Sequence, residues 1–273
     1  MSTNRDVLVL VEQDKSVLLV DFDLISLWKE LEMIYKEKIK IGLKDIWKEN
    51  EVNNKAILEY LENVAGYHSD KLNYGINGTK APDLSWILLD WKVKVLKRPK
   101  YGQVLEIHTW SKKIVKFYAY RDFEIYDENN NLCVIATSKW LLINNKTGKI
   151  SKADQEMIDA YESETEKSVF KEQDLDKLKE PKNYKNSIIY KTMRKDIDII
   201  GHMHNLYYLD LAYEALPNEV YEQRPFDEFR IMYKKEIKLE DEVIVTYAFE
   251  NDKHIVVIKS KDEKTLHSII ESK

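Results

Sequence analysis

The alternation of apolar and polar positions runs through the chain in two passes of the same order. Met33 opens a strand pattern of period two, Tyr35-x-Glu37-x-Ile39-x-Ile41. Over 52–72 the period changes to that of a helix. Ile57, Leu61, Val64, Tyr67 and Leu72 recur at steps of three to five and make one apolar stripe, with Asn53 or Asn54 as the N-cap. Gly75, Gly78 and Pro82 break the pattern. Strands follow over 86–96, where Trp91, Val93 and Val95 alternate with Lys92 and Lys94, then over 104–110, 114–126 and 133–143. Residues 127–131 and 144–148 carry turn composition. Residues 152–182, rich in Glu, Lys, Asp and Gln, read as a solvated helix and a charged linker closed by Pro181. The order then returns: a strand over 188–193, a helix over 204–216 with Tyr208, Leu211, Ala212 and Ala215 on one face, and strands over 229–237, 242–249, 254–259 and 266–270.

Strand, helix and a run of antiparallel strands, occurring twice with little residue identity, is an α+β pattern of two units packed side by side. The expected division is an N-terminal extension over 1–32, a first unit over 33–160, a charged linker over 161–182 and a second unit over 183–273. The extension has short apolar patches and reads equally as an extra strand or helix or as a loosely ordered tail.

Composition narrows the function classes. The 273 residues, 44% of them hydrophobic, suffice for one large core or two smaller ones. A net charge of −5 gives no basic field for nucleic acid. A single cysteine, Cys133, excludes a disulfide framework and reads as an inert small hydrophobe in a strand. No apolar run approaches the roughly 18–20 residues that span a bilayer. The run 7–11 is followed at once by acidic residues, which argues against a signal peptide, so a cytoplasmic protein is expected. There is no Gly-x-Ser-x-Gly elbow and no Gly-rich phosphate loop. His108, Asp122 and Glu124 lack metal-ligand spacing, so neither metal nor other cofactor is expected.

Most of the catalytic-looking chemistry falls in one stretch, Asp196-Ile-Asp198-Ile-Ile200-Gly-His202-Met-His204-Asn205-Leu-Tyr-Tyr208. Two carboxylates, two histidines and an amide precede a helix whose first N–H groups and positive dipole end suit an oxyanion. Gly201 permits close backbone approach. A histidine titrates near neutrality and serves as acid or base. The same residues also read blandly: Asp and Asn before a helix are usually caps, a lone histidine there is usually surface, and Glu236, in Tyr233-Lys-Lys-Glu236-Ile-Lys, sits on a charged strand face.

The chain from about Tyr35 to its end resembles the acyl-acyl carrier protein (acyl-ACP) thioesterases. The resemblance is carried by Pro99-Lys-Tyr-Gly-Gln-Val-Leu-Glu-Ile-His-Thr-Trp110, Tyr120-Arg-Asp-Phe-Glu-Ile-Tyr-Asp127, Ala136-Thr-Ser-Lys-Trp-Leu-Leu-Ile143 and its continuation to Lys152, the stretch from Arg194 to Tyr208, and Tyr233-Lys-Lys-Glu-Ile237. It implies two tandem hotdog domains, each a long helix wrapped by a curved antiparallel sheet. It also implies hydrolysis of fatty acyl-ACP to free fatty acid in fatty acid biosynthesis. The family's Asp-x-Asn-x-His run and later Glu fall on Asp198, His202 and Glu236, the implied catalytic residues, with Gly201, His204 and Asn205 in support. Ile200 stands where the family has Asn, and His204 and Asn205 where it usually has two Asn residues.

An amide that positions water or a thioester carbonyl contributes on the order of 10²–10³ in rate. Its replacement by Ile200 leaves open a catalytically impaired acyl-binding protein, and predicts a faster enzyme on Ile200→Asn; a thioesterase acting on acyl-CoA is a further alternative. By resemblance the first unit shapes the acyl pocket, with Tyr60, Val64, Trp86, Leu88 and Trp91 as substrate-binding candidates and Trp140 and Leu142 beside them; for each one alone, plain core is the better reading. His68 reads as helix surface. Acyl carrier protein is the implied partner. Lys92, Lys94, Lys97, Arg98 and Lys100, or Arg194 with Lys195, are the basic candidates for docking it. Two such domains in one chain already make a pair, so monomer and homodimer are both open.

Overall fold

A computed structural model describes residues 7–11, 17–21, 33–171 and 175–273. β1 (Val7–Val11) and β2 (Val17–Asp21) pair antiparallel as a separate two-stranded sheet. The rest of the 1–32 extension lies outside the described residues.

The other strands form one sheet of eleven. The first half contributes β3 (Tyr35–Lys40), β4 (Leu84–Val95), β5 (Val104–Val115), β6 (Tyr118–Tyr126), β7 (Leu132–Asn144) and the short β8 (Lys149–Ile150). The second contributes β9 (Asn186–Lys191), β10 (Glu228–Tyr233), β11 (Glu242–Glu250), β12 (Lys253–Ser260) and β13 (Leu266–Ser272). Their order is β3-β5-β6-β7-β4-β10-β13-β12-β11-β9, with β8 paired to β7. This order reads as its own mirror: β3, β4, β5, β6 and β7 correspond in turn to β9, β10, β11, β12 and β13. The halves meet where β4 and β10 pair, Trp91 opposite Ile231 and Val93 opposite Phe229. Across that seam Arg230 Nη2 donates to both oxygens of Asp90 at 3.2 Å.

Helix α1 (Asn54–Lys71) starts at Asn53, whose side chain accepts from the Ala56 N–H at 2.8 Å. Its counterpart α3 (Asn205–Glu214) starts at His204. Between them in sequence, α2 (Gln155–Ala160) is short, and α4 (Asn218–Tyr221) follows α3. One continuous core joins both halves, from Leu61, Val64 and Trp91 to Leu209, Ile231 and Val245. Because strand side chains alternate, the other sheet face needs its own cover. Met157 and Tyr161 provide it over Leu142 and Trp86, and Leu178 over Val257 and Ile269.

Several expectations change. Among the described residues of 152–182 only Gln155–Ala160 is helical, and Ala153, Met157 and Tyr161 are buried rather than solvated. The strand expected over 114–126 is two strands, because β5 runs on to Val115 and Lys116 turns the chain at φ +57° without a glycine or proline to mark it. Tyr67 is 48% exposed and leaves the apolar stripe. His68 is buried rather than surface: it stacks on Tyr35, and Arg121 Nη1 lies 2.8 Å from its Nδ1.

Candidate active site

The loop into α3 is built by its own carboxylates. Asp196 is buried, and its Oδ2 accepts from the Met193 N–H at 2.8 Å and the Tyr190 hydroxyl at 2.6 Å. It closes the 3-10 turn Arg194–Asp196 and is structural. Asp198 Oδ1 accepts from the Ile200 N–H at 2.8 Å and the His202 N–H at 3.1 Å, folding the next turn around itself. Gly201 completes that turn at φ +91°, where a side chain would be strained. Ile200 is 69% exposed, so its apolar bulk faces solvent and does not fill the site.

His204 takes the N-cap position of α3, its Nδ1 accepting from the Leu206 N–H at 3.3 Å. His202 forms an isolated backbone bridge with Lys238, and the Met203 N–H donates to the Ile237 carbonyl at 2.8 Å. These contacts bring the chain after β10 against the loop. Glu236 therefore lies beyond the end of β10 rather than on a strand face, since the ladder to β13 ends at Tyr233. It is exposed and lines a surface hollow of about 330 Å³ with Lys235, Lys238, Asp241 and His267. Asp198, His202 and Glu236 are thus neighbours through their backbones, and no hydrogen bond among the described residues joins their side chains. Burial pushes the Tyr208 phenol up, and the charges of Glu236 and Asp198 add to the rise.

The helices cross at this point. Asn205 Nδ2 donates to Glu62 Oε1 on α1 at 3.3 Å, and the Tyr233 hydroxyl donates to the Asn205 carbonyl at 3.1 Å. Glu62 Oε2 is enclosed and has no partner among the described residues. Burial pushes the Glu62 carboxyl up; His204 and the Asn205 amide pull it back, while Asp198 and Glu59 raise it further.

The equivalent junction of the first half is filled. Asp45 closes its 3-10 turn as Asp196 does, accepting from the Gly42 N–H at 2.8 Å. The bridge Ile46–Val52 matches Ile197–Met203. Counting onward, Trp47 falls on Asp198, Asn53 on His204, Asn54 on Asn205, and Arg98, before the Pro99 carbonyl that binds Val52, on Glu236. Asn54 Nδ2 meets the Tyr213 hydroxyl at 3.2 Å, the mirror of Asn205 on Glu62. Arg98 is turned inward: it donates to the Val52 and Phe226 carbonyls and to Asn54 Oδ1 at 2.8–2.9 Å. Arg224 stacks over Trp47, Tyr213 and Tyr221.

Of the pocket candidates, Tyr60, Val64, Leu88 and Trp91 lie together in the main core, and Trp140 packs on Trp91. Trp86 and Leu142 do not join them; they pack with Tyr161 or its neighbours in a separate cluster. The first basic cluster is spent internally. Arg98 is buried, Lys94 pairs with Glu228, Lys97 with Asp127 and Lys100 with Glu51. Glu62 was missed in the sequence, although its place between Leu58, Leu61 and Ala65 put a carboxylate on the buried side of an amphipathic helix.

A mirrored sheet with one long helix per half, α1 and α3, is the double hotdog arrangement. The family models for the acyl-ACP thioesterase N-terminal and C-terminal domains match residues 32–161 and 165–273. The chain belongs to the acyl-ACP thioesterase family. It is 24% identical over 228 residues to the chloroplastic oleoyl-acyl carrier protein thioesterase 1 of Arabidopsis thaliana, covering 77% of this chain and 62% of that one. It is 26% identical over 215 residues to the chloroplastic palmitoyl-acyl carrier protein thioesterase of Cuphea hookeriana, covering 75% and 52%. The chain thus spans about half to two thirds of these relatives' length. The crystal structure of an acyl-ACP thioesterase from Bacteroides thetaiotaomicron matches with a TM-score of 0.78 at 18% identity, covering 89% of this chain and 98% of that one. The 12:0-ACP thioesterase of Umbellularia californica matches at 0.76 and 16%, covering 88% and 96%. No helix among the described residues is long and apolar enough to cross a membrane.

Proposed function

We propose that this protein hydrolyses the thioester of fatty acyl-ACP to free fatty acid, and that the reaction takes place at the start of α3. The observation that carries this reading is the asymmetry of two equivalent junctions. Arg98 and the Arg224 stack fill the first, whereas the second brings together Asp198, His202, His204, Asn205 and Glu236 with no such filling among the described residues. In this reading Asp198 sets the loop and the first turn of α3 receives the oxyanion. His202 and Glu236 line the exposed mouth and return a proton to the leaving thiolate. Gly201 gives the turn its shape. The acyl chain runs toward Tyr60, Val64, Leu88 and Trp91 in the first half, which is why we divide the chain into an acyl-binding unit over 33–160 and a catalytic unit over 183–273. Arg194, Lys195, Lys234, Lys235 and Lys238 are exposed around the mouth and suit an acidic carrier protein. A reducing, cytoplasmic setting fits the single free cysteine, Cys133.

The test is thiol release from acyl-ACP and acyl-CoA of matched chains. A kcat/KM at least tenfold higher for acyl-ACP is expected; a preference for CoA would move the substrate assignment. Ile200, where the family has Asn, favours a second reading as an impaired acyl-binding protein. Saturable binding of acyl-ACP without release of fatty acid would establish that second reading and overturn the first.

A further inference from the structure

Glu62 has the surroundings of a reacting group rather than of a structural one. It lies on the buried side of α1 beside Leu58 and Leu61, which are fully buried. One oxygen is held by Asn205 from the other half, and the second has no partner. A carboxylate oxygen left unpaired in an enclosed place costs stability. The equivalent position of the other half carries Tyr213, which meets its Asn54 with a phenol and adds no charge. Asp122 Oδ1, the other enclosed carboxylate oxygen without a partner among the described residues, belongs to a group whose second oxygen is tied to Lys112 and the Val169 N–H.

The polar and charged groups that act on Glu62 come from both halves of the chain. They are His204 and Asn205 at the start of α3, Asp198 in the loop before it, Tyr233 on β10 and Glu59 on its own helix. Three of them belong to the junction assigned above to catalysis. Glu236, by contrast, opens onto a surface hollow.

We propose that Glu62, supplied by the first half, is the general base of the second half's site: Oε1 is held by Asn205 and Oε2 accepts the proton of the attacking water. The water oxygen forms its bond to the thioester carbonyl carbon, the carbonyl electron pair moves to oxygen at the start of α3, and the water proton passes to Glu62. Collapse re-forms the carbonyl and breaks the C–S bond. The thiolate takes a proton from the His202 side of the mouth, and Glu62 loses its proton to solvent. Burial, which raises the Glu62 carboxyl, makes it a stronger base than a surface glutamate.

This inference rests on the thioesterase reading, and the experiment separates the two. Wild type and Glu62→Gln are assayed on acyl-ACP across pH, with thermal unfolding measured alongside. For Glu62→Gln we expect kcat lower by about 10²-fold or more, KM within about threefold, an unfolding midpoint equal or higher, and loss of the acidic limb seen in wild type. Glu62→Asp keeps a carboxyl on a shorter stem. It is expected to retain the acidic limb at a kcat between the two, and it carries the test if Glu62→Gln does not fold. With wild type active, full kcat in Glu62→Gln, or a fall in kcat that leaves the acidic limb in place, overturns the role of Glu62 alone. No release by wild type removes the thioesterase reading itself.

Discussion

Arg98 and Glu236 occupy equivalent places in the two halves, but Arg98 is turned into the fold and Glu236 opens onto the surface. The Arg98 side chain is 6% exposed and its guanidinium serves the Val52 and Phe226 carbonyls, Asn54 Oδ1 and the Asp227 carboxylate. Arg98→Met keeps much of the stem but strands two acceptors, the Val52 carbonyl and Asn54 Oδ1, because the Phe226 carbonyl keeps its bond from Asn54 Nδ2 at 2.8 Å. Each unsatisfied buried acceptor costs about 1–3 kcal/mol, and hydrogen bonds to a charged donor lie in the upper part of the range. The Asp227 end is 66% exposed, so water can reach part of the gap, and its ion pair contributes little. The expected loss is about 3–5 kcal/mol, or roughly 8–15 °C in Tm for a chain of this size. Urea and thermal unfolding followed by circular dichroism measure it, with acyl-ACP hydrolysis assayed well below the transition. Retained hydrolysis with this loss is expected. A change under 1 kcal/mol would refute the reading of Arg98 as a structural filling, and selective loss of activity in a fully stable variant would place chemistry in the first half.

Glu236→Gln should show the converse, kcat lower by about 10²-fold with stability changed by less than about 0.5 kcal/mol, read by the same two assays. The rise in rate that the sequence predicts for Ile200→Asn is corrected by the position's exposure: with the side chain 69% exposed, kcat should change by less than about threefold, and a larger rise would mean that the loop closes over the substrate. Charge reversal at Lys235 and Lys238 should raise KM for acyl-ACP at least fivefold with kcat changed less than twofold, an effect that shrinks as salt is added. The His68 imidazole is lowered from 6.5 to about 3, first by burial and then by Arg121 and Lys71. Its folded value lies below the unfolded one, so stability is fully present above pH 6.5 and is lost as pH falls toward 3. The loss from this group is about 2 kcal/mol by pH 5. Urea unfolding of His68→Gln at pH 5 and 7 should show that part of the acid loss removed.

The period of the apolar positions carried both long helices and the strands that follow them, because each element has one face in a single core. It failed where tertiary contacts decide. His68 falls on the sheet-facing side of α1 and meets Arg121 there, and no local signal distinguishes it from Tyr67 on the solvent side. The charged composition of 152–182 concealed Met157, Tyr161 and Leu178, which cover the second sheet face. At the site, Asp198, His202 and Asn205 were legible from spacing and resemblance. Glu62 was not, because it comes from the other half and only the packing of α1 against α3 brings it near. The different roles of Arg98 and Glu236 became visible only once the mirrored sheet order aligned the two halves.

If one of the two equivalent junctions does the chemistry, a crystal structure with a non-hydrolysable acyl-pantetheine analogue will show which. The analogue's carbonyl oxygen is expected within hydrogen-bonding distance of the first turn of α3, its carbonyl carbon facing Glu62, and the chain running toward Tyr60 and Trp91. A carbonyl bound beside Arg98 at the start of α1, or away from both helix starts, would overturn the assignment.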